Sequence, residues 1–223
     1  VSGVSADVSI AKLFMAGVFF YGLAHLMEAE ATRLIGSVTA LLCLTLYVCT
    51  GMIYVCIRFL QEWASPLTLV NYLLLGCASG ATLATVLAAI QAPGLVIPYA
   101  QVATLITLLG LVTRGASLVR NARLKPKSTL QSAIGIKHPR IVQKAQGFMG
   151  GSFNTREFFH GRTVAMLRSV KWAFLLLVFP VPLLCLAMGV AQGSTSLLLA
   201  AFTIQYVGLI AERWFFFAQA NHP

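Results

Sequence analysis

Eight residues bring charged, hydrogen-bonding or aromatic chemistry to the ends of long apolar runs: Arg58, Glu62, Trp63, Asn71, Tyr72, Arg114, Glu212 and Arg213. Polar groups at membrane depth are expensive, so each is a candidate functional group. Arg114 falls near the end of one apolar run and Glu212 and Arg213 near the end of another, where the three can share one buried ion-pair network. Arg58, Glu62 and Trp63 close a third run, and Ser65-Pro66-Leu67-Thr68 with Asn71 and Tyr72 opens the next. Together these Arg, Glu, Tyr, Asn and Trp side chains are expected on one membrane face. A quinone headgroup requires that chemistry: hydrogen-bond partners for two carbonyls, a proton donor or acceptor, and apolar walls for ring and tail. Glu62 or Glu212 would handle protons, and Arg58, Arg114 or Arg213 would stabilise the reduced headgroup. Simpler roles compete. Arg114 and Arg213 are also placed to snorkel to headgroup phosphates, and Trp63, Tyr72 and Trp214 to act as aromatic-belt anchors.

The elements that must position these groups follow from composition. Of 223 residues, 58% are hydrophobic and 10% charged, against about a quarter charged in soluble proteins. The expectation is an all-α, polytopic transmembrane helix bundle. A spanning helix needs about 20 mainly apolar residues, and six runs provide them, roughly 9–27, 34–58, 67–91, 95–118, 171–191 and 195–216. Residues 1–119 then hold four helices, 120–170 a basic loop, and 171–223 two helices and the C-terminal end. From Arg120 to Lys171 the chain carries eleven of its sixteen Lys and Arg residues against one acid, Glu157. Such an excess is retained in the cytoplasm, which puts both chain ends and the 61–66 connection on that side. The three outer connections then hold a single cation, Arg33.

The island accounts for the net charge of +10, so nucleic acid is not an expected partner. Loops beyond about 15 residues are usually functional or disordered, so the island is a candidate docking surface. Its mixture of cations and aromatics suits a protein interface: Lys137, His138, Arg140, Phe153, Arg156, Phe158, Phe159 and His160. A solvated loop lying on anionic lipid is the competing role.

Other chemistries find little support. The five cysteines (Cys43, Cys49, Cys56, Cys77, Cys185) lie in apolar runs without CxxC spacing and read as small hydrophobes, so no metal site is expected. His25 is the single histidine within a span, and a membrane haem takes two axial ligands, so no haem is expected. Gly147-Phe148-Met149-Gly150-Gly151 offers a turn without a phosphate-binding context. Gly76, Ser79, Gly80 and Ala81 read as a close-packing face. A transporter would need a polar path through the midplane, which is expected to be filled by Leu, Val, Ala, Cys and Gly, and no internal repeat is evident.

Three stretches carry a resemblance. Ser128 to Arg140 (STLQSAIGIKHPR), Phe153 to His160 (FNTREFFH) and Glu212 to Pro223 (ERWFFFAQANHP) resemble the membrane-anchor subunit of dimethyl-sulfoxide-reductase-type molybdoenzymes. Within that family they are most similar to the anchor of the cytoplasmic, quinone-linked sulfite dehydrogenase of sulfur-oxidising bacteria. The resemblance implies a multi-pass anchor in the bacterial cytoplasmic membrane, with no metal of its own. A molybdopterin catalytic subunit would oxidise sulfite, an iron-sulfur subunit docked on the island would relay electrons, and the anchor would pass them to the quinone pool. The family anchor has about eight helices, so a chain starting at Val1 without Met or leader is expected to be the last six, beginning inside a longer gene product. A quinol-oxidising anchor of a sulfoxide or related reductase has the same architecture, and a scaffold without quinone contact also stays open.

Overall fold

The computed structural model describes residues 2–58, 60–125, 131–132, 135–138 and 163–220. They form helices α1 (Ser2–Leu26), α2 (Thr32–Val55), α3 (Pro66–Gln91), α4 (Val96–Ala122), α5 (Val164–Val178), α6 (Pro180–Gln192) and α7 (Thr195–Ala218), with a 3-10 turn at Pro93–Leu95. Six segments are long and apolar enough to cross a membrane: Asp7–Leu26, Thr32–Val55, Pro66–Gln91, Pro93–Ala122, Val164–Gln192 and Thr195–Ala218. The expected all-α, six-span architecture is therefore present. Large apolar side chains such as Phe19, Leu41, Leu105, Val112, Leu184 and Ile210 are exposed. Helices satisfy their own backbone groups, so they can present such surfaces to lipid; this is a membrane protein.

Helix ends are set locally. Ser65 precedes Pro66, and its hydroxyl accepts from the Leu67 amide at 3.3 Å; proline suits a first helical position because that amide would be unpaired anyway. Thr163 and Ser194 cap α5 and α7 by accepting from the amides of Met166 and Leu197. Two helices close with the same left-handed turn. After α6, the Ser194 amide donates to the Gly189 carbonyl at 2.9 Å and the Gly193 amide to that of Val190 at 3.4 Å, with Gly193 at φ 62°. After α1, the Ala29 amide donates to Ala24 and the Glu28 amide to His25, but the left-handed residue is Glu28, at φ 52°.

The fifth span starts seven residues before the expected 171 and is broken in the middle. Pro180 and Pro182 are the cause. Phe179 precedes a proline and is distorted from ideal helical dihedrals, with φ −112° and ψ −79°, and neither proline has an amide to donate one turn back. α2 is also shorter than expected, ending at Val55. Gly80 does not belong to a close-packed face, since a methyl group there would meet nothing within 4 Å. Ala78, Thr82, Thr85 and Val86 are the buried positions of α3 nearby.

The chain divides into two compact units, Val1–Phe59 with Trp63–Leu73 and Leu60–Glu62 with Leu74–Pro223. In the first, α1 packs along α2. In the second, one core joins Val86, Ala100, Ala103, Leu186, Leu198 and Ala201, and another joins Leu75, Phe174, Val178, Phe179 and Phe215.

A left-handed residue with a Cβ carries a cost of about 1 kcal/mol. Glu28→Gly should raise the melting temperature of the detergent-solubilised protein, and Gly193→Ala should lower it, as read by tryptophan fluorescence.

Candidate functional site

The second unit carries a buried charge cluster. Arg114 on α4 and Glu212 on α7 are 2% and 1% exposed, and Arg114 Nη2 lies 2.7 Å from Glu212 Oε1. Arg213 Nη2 and Nε each lie 2.7 Å from Glu212 Oε2. The ion-pair network expected of these three residues forms. Arg114 does not snorkel; its guanidinium stands 5.5 Å from the centroid of the Phe174 ring. Arg213 combines both roles, paired yet 32% exposed, and it lies over Phe216 at 5.1 Å. Each oxygen of Glu212 faces a guanidinium, which makes it a member of two ion pairs.

Seven residues before these partners stands a second cross-link, missed in the sequence. The Gln205 amide nitrogen donates to the Thr107 hydroxyl and to the Val178 carbonyl, both at 3.3 Å. Its carbonyl accepts from the Thr82 hydroxyl at 2.8 Å. The Val178 carbonyl is the one that Pro182, lacking an amide, leaves unpaired, so α7 supplies the donor that the broken span lost. Thr107 to Arg114 and Gln205 to Glu212 are both seven residues, so α4 and α7 run parallel in one register. The same interval leads to Asn121 and Gln219, whose side-chain nitrogens are buried without partners, as is Arg114 Nε. Between the layers, Gly208 lets α7 touch α5: a methyl there would stand 2.8 Å from the Leu177 carbonyl carbon. The expected apolar midplane is thus interrupted, but Thr82, Thr107 and Gln205 bind one another.

The first unit carries an aromatic group at one end. Trp63 meets Tyr54 edge-on, with ring centroids 5.6 Å apart. Tyr72 contacts Tyr54 at 6.4 Å and Tyr47 at 5.8 Å. Trp63 is 1% exposed, too deeply enclosed for an interfacial belt anchor. The Thr68 hydroxyl fixes its backbone by donating to the Trp63 carbonyl at 2.8 Å. Next to Tyr72, Asn71 is 3% exposed, and neither its nitrogen nor its oxygen has a hydrogen-bond partner. Leaving a buried amide so costs about 1–3 kcal/mol, a cost expected at ligand sites.

The remaining expected residues are more scattered. Arg58 is exposed in the turn after α2, and Glu62 is half-buried in the second unit. Trp214 packs against the Phe174 and Phe215 core, and His25 stacks on Tyr21 near the end of α1. Lys137 and His138 are exposed. Arg140, Phe153, Arg156, Phe158, Phe159 and His160 lie outside the described residues. Among the described residues, no three His, Cys, Asp or Glu side chains are grouped so as to hold a metal ion.

Comparison with known proteins finds the chain 47% identical to the C subunit of sulfite dehydrogenase from Allochromatium vinosum over 235 aligned positions, which cover 100% of this chain and 72% of that protein. No family model and no solved structure matches.

Removing one partner of a buried pair costs about 3–5 kcal/mol, because a charge is left without its partner. Arg114→Leu should destabilise the protein by that order, and Arg114→Leu with Glu212→Leu by less than the single change. Thermal unfolding in detergent reads the difference. Gln205→Leu should cost about 1–3 kcal/mol in the same assay, since it unpairs the Val178 carbonyl.

Proposed function

Because the chain belongs to the family of sulfite dehydrogenase C subunits, we propose that it is the membrane anchor that passes electrons from sulfite oxidation to the quinone pool. The name of its relative designates one component of an assembly. In this reading the partners are a molybdopterin catalytic subunit and an iron-sulfur subunit, which hold the redox centres and make the complex an enzyme. This chain supplies a quinone seat, membrane attachment and a docking surface. Its basic island faces the cytoplasm of a bacterial inner membrane and receives the iron-sulfur subunit, with Lys137 and His138 on its surface. Sulfite and water yield sulfate, two electrons and two protons at the catalytic subunit. Quinone takes up two electrons and two protons to become quinol.

The observation that carries the quinone part is the Asn71 amide, buried with donor and acceptor both unpaired, one residue before Tyr72 of the aromatic cluster. A quinone carbonyl needs a donor, a quinol hydroxyl needs an acceptor, and one amide provides both. Tyr47, Tyr54, Tyr72 and Trp63 supply aromatic walls for the ring.

The intact complex, purified in mild detergent, should reduce a short-chain quinone with sulfite and contain both partner subunits. A chain that purifies alone, or a complex inert with sulfite, would overturn the assignment. Asn71→Leu separates a binding role from a packing role. It removes two unpaired buried atoms, so the melting temperature should hold or rise, while KM for quinone should increase about tenfold, the equivalent of about 1.4 kcal/mol. Sulfite-driven reduction of an artificial dye by the soluble subunits should be unchanged.

A further inference from the structure

Quinone reduction consumes two protons, so the seat beside Asn71 needs a group that carries them. The chain has six acids. Glu212 is held between two guanidiniums, Glu62 belongs to the second unit, and Glu157 lies outside the described residues. Glu28 and Glu30 stand in the short connection from α1 to α2. That connection makes the two helices antiparallel. It places the start of α1, the end of α2 and the start of α3 at one end of the first unit, and both glutamates at the other. Asp7 is the carboxylate that remains at the end where Trp63, Asn71 and Tyr72 stand.

Its placement ties it to those residues. Asp7 Oδ1 accepts a hydrogen bond from the Thr50 hydroxyl at 2.7 Å, in a partly buried setting. Thr50 lies three residues after Tyr47 and four before Tyr54, so all three share one face of α2. Tyr47 and Tyr54 are the rings that contact Tyr72, and Asn71 is its neighbour in sequence. A carboxylate at membrane depth, bonded to a hydroxyl and joined through one helix face to an aromatic cluster with an unpaired amide, has the composition of a proton-delivery site.

We propose that Asp7, held by Thr50, is the proton-exchanging carboxyl group of the quinone seat in the first unit; the inference rests on the quinone reading given above. As the quinone accepts two electrons from the partner's iron-sulfur centres, the Asp7 O–H bond breaks and an O–H bond forms at a quinone oxygen. The carboxylate left behind accepts from the Thr50 hydroxyl and regains its proton from water at the membrane surface. A second cycle delivers the second proton. Thr50 is a positioning residue: it orients the carboxyl group.

The test uses the purified complex with its partner subunits, reading sulfite-driven reduction of a short-chain quinone across pH beside dye reduction. Asp7→Asn should lower kcat for the quinone at least about a hundredfold, the low side of what a positioned acid contributes. KM and dye activity should not change. Asp7→Glu should restore most of the rate with a displaced pH profile. Thr50→Val, which keeps shape and loses the hydroxyl, should displace the pH profile with a smaller loss, and it serves as the readout should Asp7→Asn fail to assemble. An unchanged kcat and pH profile in Asp7→Asn, with KM raised in Asn71→Leu, would remove Asp7 from the mechanism and leave the seat in place. If both variants behaved as wild type, the seat itself would be misassigned and the inference would fall with it.

Discussion

The Val178 carbonyl depends on a donor from another helix. Pro182 has no amide to offer it, and in hydrocarbon no water stands ready, so Gln205 donates from α7. A broken span therefore obliges a polar residue on its neighbour, and that residue must sit at one height. Gln205 also binds Thr107, so the break in one span fixes the register of two others. Seven residues on, the same register brings Glu212 to Arg114. Gly208 allows this closeness, because any larger residue would press on the backbone at Leu177.

Both units carry buried polar groups, and each leaves some of them unpaired. In the second, Gln205 bonds three elements and Glu212 lies between two arginines, while Arg114 Nε and the Asn121 and Gln219 amide nitrogens stay unpaired. Such networks rigidify when satisfied. In the first, the Asn71 amide is buried without a partner, a state that folding alone does not favour.

Six spans were legible in the sequence because a bilayer demands about 20 apolar residues each time, and little else can satisfy a run such as 195–216. The break in the fifth span escaped notice because a hydropathy window averages over Pro180 and Pro182, although proline chemistry predicts it. Arg114, Glu212 and Asn71 stood out as costly polar groups. Asp7 did not, since a carboxylate near a chain start reads as solvated until Thr50, 43 residues away, is seen to bond it. Gln205 was hidden by its apolar neighbours. Its signal was the spacing to Glu212, equal to that from Thr107 to Arg114, which acquires meaning only once the two helices are known to be adjacent.

An unpaired amide also bears on the direction of electron flow. A cation beside a headgroup stabilises the reduced, anionic form and pulls the equilibrium toward it. A neutral amide donates to a quinone carbonyl and accepts from a quinol hydroxyl with comparable strength, so it binds both forms and biases neither. Only differential binding shifts an equilibrium. On the proposed function, a seat built on Asn71 would therefore transmit electrons in whichever direction the potentials dictate, and a redox centre contributed by the partner would set that direction. On that reading the same architecture would serve a dehydrogenase or a reductase with no change to its quinone contacts, and selection for direction would fall on the partner's centre and on the island proposed to dock it.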